Sequence, residues 1–112
     1  MIDALPAGDS TPFQRAQRDR FGARLAAIRG ETDRVEPGFK SAVGLFREIG
    51  TPFWLGETLL EHGEWLSAQG RADEANPLFD EAREIFERLE ARPRLERLEK
   101  VAGPHAEVVA PG

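Results

Sequence analysis

Residues 51–90 read TPFWLGETLLEHGEWLSAQGRADEANPLFDEAREIFERLE, and this stretch decides the fold. It reads as two amphipathic helices hinged at Gly70, and a weathered copy lies directly upstream. Sliding the chain by 40 residues brings Thr11, Pro12 and Phe13 onto Thr51, Pro52 and Phe53. Gly30 then meets Gly70, Asp33 meets Asp73, Pro37 meets Pro77, Phe39 meets Phe79, Ala42 meets Ala82 and Phe46 meets Phe86. Leu45/Ile85 and Ile49/Leu89 are conservative partners in the same register. A fixed period of this size is the signature of a helical solenoid, in which each helix pair buries its apolar face against its neighbours.

Working outward, the spacing predicts five helices. In residues 52–69, Leu55, Leu59, Gly63 and Leu66 form a stripe flanked by Trp54 and Trp65, with Gly63 small enough for a partner helix to approach. Residues 73–89 carry the strongest pattern, Ala75, Leu78, Phe79, Ala82, Ile85, Phe86 and Leu89, opposite a face paired as Arg83–Glu87 and Glu84–Arg88. Upstream, residues 33–49 place Val35, Phe39, Ala42, Leu45, Phe46 and Ile49 on one face, with Pro37 near the start and Gly50 as the cap. The first helix, 12–29, is weakest. Phe13, Phe21, Leu25 and Ile28 suggest its inward stripe, yet Arg15 and Asp19 stand where the later copy has Leu55 and Leu59. That helix either packs on something outside the chain or has drifted at a solenoid end. Thr11-Pro12 with Gln14 and Thr51-Pro52 read as N-terminal caps. A fifth helix, 93–102, turns Leu95, Leu98 and Val101 inward and Arg94, Arg97, Glu99 and Lys100 outward, as a solenoid cap would. Residues 1–10 read as a flexible leader and 103–112 as a disordered tail. The expected organisation is therefore repeats 11–50 and 51–90 and a capping half-repeat 91–102, an all-α, right-handed solenoid of antiparallel helix pairs with about two and a half repeats.

Composition narrows the function. The 112 residues carry a net charge of −5, and there is no cysteine, which removes disulfides, thiolate metal sites and cysteine nucleophiles. Residues 51–90 hold ten acids against Arg71, Arg83 and Arg88, whereas residues 1–30 hold five arginines against Asp3, Asp9 and Asp19. An acidic middle argues against a nucleic-acid surface, leaving Arg15, Arg18, Arg20 and Arg24 as the weak exception. No apolar run is long enough to cross a bilayer and no secretory leader is evident, so a cytoplasmic location is the default expectation.

The second copy resembles a tetratricopeptide repeat. With Ala75 at the small position of the second helix, Gly63, Leu66, Gly70, Ala75, Phe79 and Ala82 fall at the repeat's signature positions. The chain departs from that pattern where Leu59 holds the usual aromatic position, Trp54 lies a turn earlier, and His62 replaces the usual leucine before Gly63. The phrases LFREIGTPFWLGETLLEHGEWLSAQGRADEA and EAREIFERLEARPRLER are similar to the C-terminal repeats of large multidomain bacterial regulators. Those include nucleotide-cyclase proteins and transcriptional activators built on an ATPase module. Their closing Gly-Ala-Arg-Pro-Trp phrase reads Glu90-Ala91-Arg92-Pro93-Arg94 here, and none of their catalytic or DNA-binding parts is in this sequence. The resemblance implies a protein-interaction module of a signalling system.

No catalytic or cofactor-binding constellation emerges. His62 lies between Thr58 and Trp65 without a second histidine nearby, and reads as an interhelical residue rather than a base or metal ligand. The acids Asp80, Glu81, Glu84 and Glu87 alternate with arginines and read as a solvated helix face, not a metal site. Trp54 and Trp65 read as packing residues rather than a ligand platform. The physically motivated site is the concave face formed by the first helix of each repeat. In the repeat register it holds Gln17, Arg20 and Arg24, then Glu57, Leu60, Glu64, Ser67 and Ala68, then Arg97 and Lys100. Such a groove suits an extended mixed-charge peptide or a partner helix. The other reading is a structural end piece of a longer solenoid that self-associates into a homodimer through its end helices.

Overall fold

The computed structural model describes residues 11–102; the leader and tail expected at 1–10 and 103–112 lie outside the described residues. Among the described residues there are five α-helices and no strand: α1 (Pro12–Arg29), α2 (Thr32–Ile49), α3 (Pro52–Ala68), α4 (Ala72–Leu89) and α5 (Arg92–Ala102). The chain divides into two compact units, Met1–Thr51 and Pro52–Gly112. Helix α1 packs against α2 in the first; α3 packs against α4, and α5 against both, in the second.

The 40-residue period survives in the backbone. Helices α1 and α3 start at equivalent positions, as do α2 and α4, which also end together. Each of the first four helices stops on a left-handed residue: Gly30 (φ 76°), Gly50 (φ 81°), Gly70 (φ 77°) and Glu90 (φ 55°). The same long closing bond follows each one. The amides of Glu31, Thr51, Arg71 and Ala91 donate to the carbonyls of Ala26, Phe46, Leu66 and Phe86 at 2.9, 3.3, 2.9 and 2.9 Å, the Schellman arrangement that satisfies orphan carbonyls. Glu90 makes this turn with a side chain where its three counterparts have glycine, which carries a steric cost.

Each unit contains the same aromatic clamp. Phe13 meets Phe46 edge to face at 5.8 Å in the first, and Phe53 meets Phe86 edge to face at 6.0 Å in the second. These are the residues that the 40-residue slide superimposes. The core of the first unit is Ala16, Ala23, Ala26, Val35, Phe39, Ala42 and Phe46; that of the second includes Leu55, Leu59, Leu66, Ala75, Phe79, Ala82, Ile85, Phe86 and Leu98. The inward patterns of α2, α3 and α4 thus stand, except that Ile49 and Leu89, on the last turns, are exposed.

Gly63 is where the approach of α3 to α4 is tightest. A Cβ there would lie 2.6 Å from Cε1 of Phe79, so the ring occupies the space a side chain would need. Helix α3 is also buried all round from Leu55 to Gly63, including Glu57, Thr58, Leu60, Glu61 and His62. The predicted stripe covered only one of its faces.

Four expectations need correction. Of the stripe expected on α1, Phe13 packs on Phe46 of α2, but Phe21, Leu25 and Ile28 are exposed, and Ala16, Ala23 and Ala26 are buried instead. A Cβ on Gly38 of α2 would stand 3.0 Å from Cβ of Ala23 and 3.1 Å from the Asp19 carbonyl, so the two backbones run too close for larger residues at their contact. At the position of Leu59, Asp19 instead accepts a hydrogen bond from Ser41 Oγ at 2.5 Å. Second, Thr11 makes the expected capping box with Gln14, at 3.0 and 3.1 Å, but Thr51 does not cap α3. Its Oγ1 is buried with no hydrogen-bond partner among the described residues. Third, Pro37, read as lying near the start of α2, is inside it and removes one intrahelical donor, as Pro77 does in α4. Fourth, on α5, Val101 is exposed, whereas Arg94 and Arg97 turn inward.

Candidate functional site

The residues singled out on the first helices fall in two places. On α3 and α5 they form a charge network. Glu57 Oε1 accepts from Arg94 Nε at 2.7 Å, and its other oxygen lies 3.5 Å from Arg97 Nη1. Arg97 then grips Glu64 with both arms of its guanidinium, Nη2 to Oε1 at 2.6 Å and Nε to Oε2 at 2.8 Å. This fork-to-fork geometry is the strong form of the arginine–carboxylate pair. The pattern follows from helix spacing: Glu57 and Glu64 lie two turns apart on α3, and Arg94 and Arg97 one turn apart on α5. The Arg94 guanidinium also lies 5.3 Å from the centre of the Phe53 ring, tying the network to the aromatic clamp.

Burial alone pushes the Glu57 carboxyl up. The hydrogen bond and charge of Arg94, a hydrogen bond with Glu61 and the charge of Arg97 outweigh it and hold Glu57 below its ordinary value. The bidentate bond to Glu64 raises the Arg97 guanidinium against the opposing effect of its burial, so it stays charged. Leu60 is fully buried and Ser67 half-buried, while Ala68 and Lys100 are exposed. Within the second unit, Glu57, Glu64 and Arg97 of the expected face thus pair with one another. Arg94 is the member that sequence reasoning assigned to the outer face. Its spacing from Arg97, matched to two carboxylates on α3, was the available signal.

The second place is α1. Gln17 accepts a hydrogen bond from the buried Arg20 at 3.2 Å. Arg20 and Arg24 both lie over the Phe21 ring, 5.1 and 5.9 Å from its centre. The outer face of the helix carries Phe21, Leu25 and Ile28, exposed by 54, 46 and 82%.

The remaining candidates sit as follows. His62 is buried on α3. Trp54 is half-buried and meets Phe53 edge to face at 5.3 Å; Trp65 lies under the Arg71 guanidinium at 5.7 Å. Arg71 in turn holds Glu74 at 2.7 and 2.8 Å. Among the described residues, no group of three or more histidine, aspartate or glutamate side chains could hold a metal ion, and no helix is long and apolar enough to cross a membrane. Set against protein-family profiles, curated proteins and solved structures, the chain matches none.

Proposed function

We propose that this chain is a non-catalytic protein–protein interaction module, a tetratricopeptide-like right-handed solenoid that binds a peptide or partner domain in a bacterial signalling or regulatory system. The recurrence of helix bounds, left-handed caps and the aromatic clamp at one period supports the repeat reading. The observation that carries the function is the outer face of α1, where three large apolar side chains stand in line on the surface. Contiguous exposed apolar surface on a folded domain marks a place where something docks.

A site-specific photo-crosslinker tests this. Placed at Leu25 in cells, it should yield a discrete protein adduct, while the same group at Glu84, on the polar face of α4, should not. Absence of an adduct from Leu25, or equal adducts from both positions, counts against the module. A second reading, self-association through the end helices, is favoured by the exposed Leu89 and Val101 at the ends of α4 and α5. Light scattering across a concentration series separates them, because a homodimer doubles the mass and a partner-binding module stays monomeric.

A further inference from the structure

Helix α1 has two apolar faces of opposite character. The inner one is built from small residues, Ala16, Ala23 and Ala26, and is consumed by packing on α2. The outer one is built from Phe21, Leu25 and Ile28, at i, i+4 and i+7, which at 3.6 residues per turn form one line. These three and Arg24 line a shallow groove of about 380 Å³. Scattered exposed leucines need no explanation, but an aligned set with a groove beside it does.

Charge indicates what covers it. Helix α1 carries Arg15, Arg18, Arg20, Arg24 and Arg29 against Asp19 alone. Helical geometry places Arg18 and Arg29 along one side of the apolar line and Arg24 along the other, with the buried Arg20 beyond it. The ridge is therefore edged by cations on both sides.

Three occupants fit worse than a fourth. Helix α1 of a second copy would set five arginines against five. Helix α4 of a second copy is acidic, but its exposed residues Asn76, Pro77, Asp80, Glu84 and Glu87 offer no large apolar side chain before Leu89. An anionic lipid surface extends past α1 and meets the field of a chain whose net charge is −5, whereas a single helix meets the arginines of α1 alone. A helix with an apolar stripe between two rows of carboxylates satisfies both the ridge and its flanks.

Resting on the reading of the chain as an interaction module, we propose that the outer face of α1 binds an acidic amphipathic helix of a partner protein. Its apolar residues cover Phe21, Leu25 and Ile28, and its carboxylates meet Arg18, Arg24 and Arg29. Opposite charges flanking an apolar seam set orientation and partner choice more than raw affinity.

The test uses the full chain, isotope-labelled, and a synthetic helical peptide with leucines on one face and glutamates on both flanks. Its twin carries lysines in place of the glutamates. The acidic peptide should shift the amides of residues 18–29 saturably, and the lysine twin should bind at least about tenfold more weakly. Arg18→Glu combined with Arg24→Glu should reverse that preference. Ile28→Glu, at a position open to solvent, should abolish peptide binding while the amides of α2 to α5 stay in place. Equal binding of both peptides overturns the acidic assignment and leaves the module standing. Vesicles of phosphatidylserine and phosphatidylcholine that shift the same amides when neither peptide does overturn it in favour of a lipid surface. Concentration-dependent dimerisation that protects the ridge overturns it in favour of a second copy. If the peptides fail and the Leu25 cross-link still forms, this inference falls alone; if both fail, the module falls with it.

Discussion

Replacing glycine by alanine at two helical positions should move stability in opposite directions, for reasons visible in the packing. In a helix interior the exchange gains about 1 kcal/mol, because glycine has more backbone freedom to lose. At Gly22 of α1 there is nothing within 4 Å of an added Cβ, so Gly22→Ala should keep most of that gain. At Gly63 of α3 the new methyl would stand 2.6, 2.9 and 3.0 Å from Cε1, Cδ1 and Cζ of Phe79, well inside the ~3.5–4.0 Å optimum for carbon contacts. Phe79 is itself buried, so its ring cannot swing into solvent. Overpacking of this kind costs about 1–3 kcal/mol, and overlap with a confined ring points to the upper half of that range. Gly63→Ala should therefore lose about 1–2 kcal/mol net, and the two variants should differ by about 2–3 kcal/mol. Urea unfolding followed by helical circular dichroism measures both, and Trp54 and Trp65 report on α3 by fluorescence. Adding Phe79→Leu to Gly63→Ala should recover part of the loss, a coupling that a double-mutant cycle isolates. Gly63→Ala as stable as Gly22→Ala would refute the close approach of α3 to α4.

Four other perturbations have equally definite expectations. Glu90→Gly relieves the left-handed backbone at φ 55° and should stabilise by about 0.5–1 kcal/mol, raising Tm by a few degrees in a thermal melt, since the relief outweighs glycine's greater unfolded-state entropy. Thr11→Ala should cost about 1 kcal/mol through the lost capping box. Thr51→Val, which removes a buried hydroxyl without a hydrogen-bond partner, should be neutral or stabilising in the same denaturation assay. Because Glu57 is held below its ordinary 4.5, its contribution is complete above that value and is lost as pH falls through the lower folded value. Glu57→Gln should cost about 1–2 kcal/mol at neutral pH, tempered by the partial exposure of its arginine partners, and its acid-unfolding curve should be shallower below pH ~4.5.

The helices themselves were legible because α2 and α4 carry apolar residues at helical spacing, because threonine-proline opens α1 and α3, and because glycine follows α1, α2 and α3. The period aligned Phe13 with Phe53 and Phe46 with Phe86, but it did not show that they meet across the helices. The outer face of α1 was misread for a physical reason. Large apolar residues dominate any reading of periodicity, yet beyond Phe13 the contact with α2 is made by alanines, since a backbone approach that crowds Gly38 against Ala23 leaves no room there for phenylalanine or isoleucine. Arg94 and Arg97 were placed outside because charges normally face water. Their carboxylate partners lie 37 and 33 residues away in the chain, beyond the reach of a reading confined to one helix. Burial around all of α3 was foreshadowed by Leu55, Leu59, Leu60 and Leu66 among Gly56 and Gly63, since a helix apolar on more than one side is a buried helix. The interleaved Glu57, Glu61 and His62 concealed it.

Hydroxyl-radical footprinting of the dilute free protein, read residue by residue by mass spectrometry, addresses the outer face of α1 directly. Phe21, Leu25 and Ile28 should oxidise readily, while Phe39, Phe46, Phe79 and Phe86 stay protected. Protection of Phe21 and Ile28 equal to that of Phe39 would mean that the ridge is already covered, and would contradict its role as a docking surface.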